Sequence, residues 1–360
     1  MYCWGANSHG QLGLGFSSEM CESPQRAESL PFDPRRIGAI SAGGGHTLVV
    51  LEPTGEVYCT GWNNRGQLGL GHLDDVCHFT LMGRFGFQAI ACGWDVSGGV
   101  SHGGELFLWG SNVWHQVADK GVKCVTVPTK VDLPHGAKAR KVCFGLRHTC
   151  VLTKQGKVLI FGKAKWLKEG GEKIRLKVLH GGLDFFELEF PEPVIDVASG
   201  ENHLVVLLDR QRIACVGDNK FGQSPESIID CCMQGQQHAA VKQLESGWSH
   251  SGFLMSDGRV YLWGRNNYGQ LGVAATDQGD NNGRTMVLDV ESEVIKFCLG
   301  SQHGMALTAE ETVYTWGWNE HGNCGTGGVE NVRSPTRIEG MPNVKDIAAG
   351  AGFCWALKRL

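Results

Sequence analysis

One ten-residue phrase recurs seven times along this chain at a nearly constant interval. Its plainest copy is Trp263-Gly264-Arg265-Asn266-Asn267-Tyr268-Gly269-Gln270-Leu271-Gly272, and close copies begin at Trp4-Gly5 and Thr60-Gly61. Looser copies begin at Trp109-Gly110, Val216-Gly217 and Trp316-Gly317, and the most eroded begins at Phe161-Gly162. The glycines Gly5, Gly61, Gly110, Gly162, Gly217, Gly264 and Gly317 lie 56, 49, 52, 55, 47 and 53 residues apart. A period near fifty means that one supersecondary unit is repeated, so the chain must be read as an array before any single residue is interpreted.

A second marker precedes each copy. A β-type run ends in Gly, two residues follow, then His in most copies, then an apolar strand. His46, His148, His203, His250 and His303 fill this slot, while Val96 and Phe353 take it in the other two units. Short apolar runs alternate with glycine turns, as in Phe253-Leu254-Met255, Ser256-Asp257-Gly258, Val260-Tyr261-Leu262-Trp263, which is strand and turn chemistry. Each unit therefore reads as four antiparallel strands. Seven small sheets bury their apolar faces only by packing radially against one another, which predicts an all-β, seven-bladed propeller spanning residues 1–360 as one domain. The chain starts and stops in mid-unit, so the N-terminal strands are expected to complete the C-terminal blade and close the ring.

Composition supports many turns and excludes several functions. Glycine is 52 of 360 residues, about twice average usage. A formal charge of −4 gives no general attraction to nucleic acid or anionic membranes, and no run of about 20 apolar residues could span a bilayer. The 14 cysteines include no C-x-x-C pair and most sit in periodic strands as small hydrophobes, so no zinc site is expected and a reducing compartment is. Gly99-Val100-Ser101-His102-Gly103 matches a nucleophile-elbow pattern but falls in a turn between strands instead of between strand and helix. No catalytic residue, metal or cofactor is expected. The five His slots are spread around a ring by symmetry, which predicts a structural role, with each imidazole bonded to its own turn backbone.

The doubled marker resembles the regulator of chromosome condensation repeat family of seven-bladed propellers, over essentially the whole chain. Trp4–Gly15, Ala91–Asp95 and Tyr314–Gly325 look most like its secretion-regulating, exchange-factor branch. The resemblance implies a regulator of a small GTPase in secretion or vesicle traffic, with a small GTPase or an exocyst-type tethering protein as partner. Alternatives are a scaffold propeller without exchange activity and a chromatin or nuclear GTPase regulator. A monomer is expected, in the cytoplasm, with the nucleus as a second location to test.

In that family the face built from the G-x-x-H turns contacts the GTPase. The matching variable pairs here include Trp94 and Asp95, Arg147, Glu201 and Asn202, and Trp248. Tryptophan and arginine on a turn rim have the composition of interface anchors; packing of the two tryptophans over a neighbouring blade is the competing reading. The third unit loses its bend after Gly162. Residues 163–193 instead form a divergent insertion with Lys173 and Arg175 among its cations, read as a hairpin turning at Gly181-Gly182. The family's nucleotide-displacing wedge projects from the corresponding place; a solvated surface insertion is the alternative.

Overall fold

A computed structural model of the chain describes residues 1–119, 121–167, 175–180, 184–227, 229–231, 239–273 and 284–358. Seven antiparallel sheets follow one another around a ring. Blade 1 runs Ile37–Ala42, His46–Leu51, Glu56–Gly61 and Val76–Arg84, and the same order repeats through blade 6, which ends with Val313–Gly317 and Val332–Arg337. Blade 7 is made from both chain ends: Val344–Ala349 and Phe353–Lys358 pair onward to Tyr2–Ala6 and Met20–Arg26. Tyr2 to Gly5 lie opposite Ala356 to Phe353, so the ring is latched by backbone hydrogen bonds between the termini, as the interrupted units predict.

The repeat residues have specific tasks in this latch. Trp4, Trp109, Trp263 and Trp316 are fully buried. Each indole Nε1 donates to a backbone carbonyl in the bend of the preceding blade: Asn323, Gln67, Gln223 and Gln270, at 3.0, 2.9, 3.1 and 2.9 Å. The Asn of each bend closes it internally. Asn63, Asn112 and Asn266 accept from the N–H five residues on, at 2.9, 3.0 and 3.0 Å. The glycine after Trp adopts positive φ, +106° at Gly264, where a Cβ would strike the Ser249 carbonyl. A side chain is excluded there by both conformation and space.

The histidines were expected to bond their own turns, and the structure corrects this. Four of the five rings instead reach the next blade, while both ring nitrogens of the buried His250 have no hydrogen-bond partner among the described residues. His46, His148 and His203 Nε2 are hydrogen-bonded with Ser97, Ser199 and Ser251 Oγ at 2.8, 2.9 and 2.8 Å, and His303 Nε2 with Cys354 Sγ at 3.2 Å. Only the His backbone carbonyl serves its own turn, as in Gly43 N–H to His46 O at 2.9 Å. The motif glycine is required because the imidazole folds over it; a Cβ on Gly145, Gly200 or Gly300 would collide with that ring.

The first strands of the blades line a central channel of about 710 Å³. Their third positions carry Lys141, Asp196, Gln243, Lys296 and Asp346. Lys141 pairs with Asp196 at 2.7 Å, and Lys296 pairs with Asp346. These are polar stitches between neighbouring blades; about a third of each side chain stays open to the channel, so solvent screens each pair. Among the described residues Cys3, Cys59 and Cys354 are buried thiols outside any disulfide, and no helix is long and apolar enough to cross a membrane.

Blade 3 is the exception, with five strands. Both predicted arms are present, Arg175–His180 against Asp184–Glu189 with His180 opposite Asp184, and the expected turn at Gly181-Gly182 lies outside the described residues. However, its second arm is itself the fourth blade strand, pairing Val158 with Leu188 and Ile160 with Phe186. Phe185 and Leu188 are buried in it, and the buried Glu187 carboxylate meets Lys157 Nζ at 2.7 Å. The insertion is therefore partly scaffold, with Arg175–His180 added as an outermost strand. Deleting Lys168–Leu183 leaves a connection of hairpin length, 163–167, between two antiparallel neighbours. The truncated chain is expected to stay folded with a thermal midpoint lowered by only a few degrees. Loss of cooperative melting would show instead that the fifth strand is structural.

Candidate protein-docking face

In every blade the second residue of the G-x-x-H pair is tied to the residue after the W-G glycine. The donors Ala6, Trp62, Ser111, Lys163, Asp218, Arg265 and Trp318 reach the carbonyls of Gly352, Gly45, Asp95, Arg147, Asn202, Ser249 and Gln302 at 2.7–2.9 Å. Turn and bend are thereby locked side by side, and their variable residues share one face of the ring. The first residues of the pairs are linked from blade to blade. Leu146 N–H donates to Glu201 O, Glu201 to Trp248 O, Trp248 to Ser301 O, and Ser301 to Ala351 O, at 3.0–3.2 Å. This backbone circlet fixes the rim, leaving the side chains free to vary.

Trp94, Asp95, Arg147, Glu201, Asn202 and Trp248 all lie on this face, as anticipated. Trp94 and Trp248 come from blades 2 and 5, yet their rings meet at 5.3 Å over the channel mouth. Trp62 packs edge-on against Trp94 at 6.4 Å and stacks with His9 at 5.1 Å. Trp94 thus packs over Trp62 and Gly44 of the adjacent blade and also reaches across the channel mouth to Trp248, and the rings form a half-buried aromatic ridge across the ring. Burial raises the Asp95 carboxyl above the ordinary aspartate range, with a hydrogen bond from Ser111 opposing the shift. Lys173 lies outside the described residues. Arg175 is at the wrong end of its blade: it pairs with Glu189, while the Asp184 end of that strand lies nearest Gly162 and the turns. The structure does not bring it to the face.

Charge is divided across the face. On the blade 2–3 side Arg147 lies 5.0 Å and Lys163 3.5 Å from the Trp114 ring, two cation–π contacts on one indole. Partial desolvation, followed by the Lys165 and Arg147 charges, lowers the Lys163 pKa. On the other side Glu201 and Glu320 border a pocket with Trp94, Trp248, Trp318 and Tyr268. Sequence reasoning missed Trp114, Tyr268, Trp318 and Glu320 because they belong to the W-G bend, whose repetition marks it as scaffold, and it placed Lys163 in the insertion and not on this face. Their signal was present all the same: they occupy the variable slots of that phrase, as Trp94 and Arg147 do in the other. Among the described residues no group of three His, Cys, Asp or Glu side chains could hold a metal ion.

A family model for the RCC1-like domain matches residues 1–356. The chain belongs to the RCC1-like domain family. It is 30% identical to the secretion-regulating guanine nucleotide exchange factor of Bos taurus over 100% of this chain and 83% of that protein. It is also 28% identical to the ultraviolet-B receptor UVR8 of Arabidopsis thaliana, covering 94% of this chain and 77% of the relative. In three dimensions it is similar to Prp20p of Saccharomyces cerevisiae, with a TM-score of 0.83 at 23% identity over 100% of this chain and 91% of that one. That structure was described together with the binding of Prp20p to Gsp1p and histones. At such identity the likeness shows the shared propeller alone. The RCC1-like ring is thus the frame on which this divided, aromatic-ridged face is displayed.

Proposed function

We propose that this RCC1-like propeller is an exchange-factor-like regulator of a small GTPase in secretion or vesicle traffic, acting through its turn face. The observation that carries the reading is similarity, along the whole of this chain and 83% of the relative, to a secretion-regulating exchange factor. The face supports it: variable aromatic and charged residues sit on rigid, hydrogen-bonded turns, the arrangement that gives an interface its anchors. No bond need be made or broken. A propeller that binds the nucleotide-free GTPase more tightly than the nucleotide-bound form lowers the barrier to release by that difference in binding. Arg147 and Lys163 would meet acidic partner groups, and Glu201 basic ones, so charge would orient the encounter.

A scaffold without exchange activity is favoured by one observation. Asp184–Glu189, within the segment that a displacing wedge would need, is a paired blade strand. Release of a fluorescent guanine nucleotide from a panel of vesicle-traffic GTPases decides between the two. Catalytic amounts of the propeller are expected to accelerate release several-fold for one member, and Arg147→Glu to abolish the effect. Binding of a GTPase without any acceleration would establish the scaffold instead. Pull-down of a tethering-complex subunit independently of any GTPase would support an exocyst-type partner.

A further inference from the structure

The pocket on the acidic side of the face has a chemistry that defines its occupant. It encloses about 440 Å³, at the low end of the roughly 300–1,000 Å³ of ligand pockets, enough for one long side chain and its backbone. Trp94, Trp248, Trp318 and Tyr268 supply aromatic wall, and Glu201 and Glu320 supply carboxylates. The Glu201 and Glu320 carboxylates have no hydrogen-bond or ion-pair partner among the described residues, and Glu201 is half-buried. A neutral apolar guest would strip water from the half-buried Glu201 carboxylate and return nothing, while Glu320 stays exposed at the rim. An anion would be repelled. A cation would be drawn by both carboxylates and by the negative faces of the indoles. Arg265 also borders the pocket, but its guanidinium lies against the Phe221 and Tyr268 rings at 4.7 and 5.1 Å. It therefore places a cation on the edge of this aromatic wall, while the three indoles meet aromatic rings and His321 and the two carboxylates stay unmatched.

We infer that this pocket receives a single basic side chain, an ammonium or guanidinium, presented by a partner protein. The inference rests on reading the face as a protein-docking surface, but its test reads the pocket alone. The probes are the Nα-acetyl, N-methylamide forms of lysine, trimethyl-lysine, arginine and norleucine, titrated into the intact propeller. Indole N–H resonances, assigned by substitution, report Trp94, Trp248 and Trp318. At least one cationic probe is expected to shift them saturably, with norleucine bound about ten-fold or more weakly, a difference of about 1.4 kcal/mol. The Glu201→Gln, Glu320→Gln double variant, with an unchanged circular dichroism spectrum, is expected to erase that preference. Arg147→Ala, on the other side of the face, is expected to keep it. Equal binding of norleucine and the cations, or no saturable shift with any probe, overturns the inference. So does an undiminished preference in the double variant. Absence of exchange activity leaves it standing, and probe binding does not by itself support exchange.

Discussion

Acidification from about pH 7.5 to about pH 5.5 is expected to remove much of the stability of this fold, well before its carboxylates titrate. Five buried histidines are the cause. Burial depresses His46, His148, His203 and His303 to about 3, and His250 to about 4. In the unfolded chain each returns to about 6.5. Between those values the unfolded chain binds more protons than the folded one, so stability is fully present above pH 6.5 and lost as pH falls towards the folded values. The slope approaches about 1.4 kcal/mol per pH unit for each fully shifted group. Five together remove on the order of 5 kcal/mol by pH 5.5, comparable to the whole stability of many domains. Asp95 and Glu245 act in the opposite sense, because burial raises both and the folded state takes up their protons first. Two such groups do not offset five. Urea unfolding across this range measures the effect, and an unchanged midpoint would reject it. His203→Ala adds a second check. It should weaken the protein at neutral pH by removing the bond to Ser251, yet flatten the pH dependence by about one fifth.

What made this fold legible was periodicity. Where a residue's partner stands within its own unit, as Asn266 with the Leu271 N–H, the motif and its reason can be read together. Where the partner stands in the next unit, only the motif can. Nothing local ties His46 to Ser97 or Trp316 to the Gln270 carbonyl; each link joins positions 46 to 51 residues apart through packing of whole blades. The channel pairs Lys141–Asp196 and Lys296–Asp346 were missed for the same reason, although the five polar residues share one slot of the repeat. In blade 3, alternation revealed both arms of the hairpin but not their order in the sheet, because a period of two is indifferent to which neighbour a strand pairs with. The docking face was half legible. Its G-x-x-H side chains could be placed from symmetry, while the W-G bend residues beside them were hidden by their own scaffold motif.

Trp316 and Trp318 offer the sharpest separation of scaffold from function, since only Gly317 stands between them. Trp316 is the penultimate residue of the third strand of blade 6, is fully buried and donates to Gln270 O at 2.9 Å. Its ring also lies where a Cβ on Gly304 would go, so the site is filled from both sides. Trp316→Ala is expected to cost about 3–5 kcal/mol through the cavity it leaves, with a further contribution from the buried Gln270 carbonyl left without its donor. In a closed ring that loss loosens the seam between blades 5 and 6, so melting should shift as one cooperative transition. Positive φ at Gly317 then turns the chain out of the sheet, and Trp318 emerges half-exposed on the docking face, edge-on to His321 at 5.0 Å. Trp318→Ala is expected to change stability by about 1 kcal/mol or less while weakening the binding of lysine-type probes. The paired measurement is a denaturation midpoint and a probe titration for each variant. Trp316→Ala should fail the first under mild stress and, while folded, pass the second; Trp318→Ala should do the reverse. Should both variants lose stability equally with probe binding intact, the W-G bends would be scaffold throughout, and the face would reduce to the G-x-x-H turns alone.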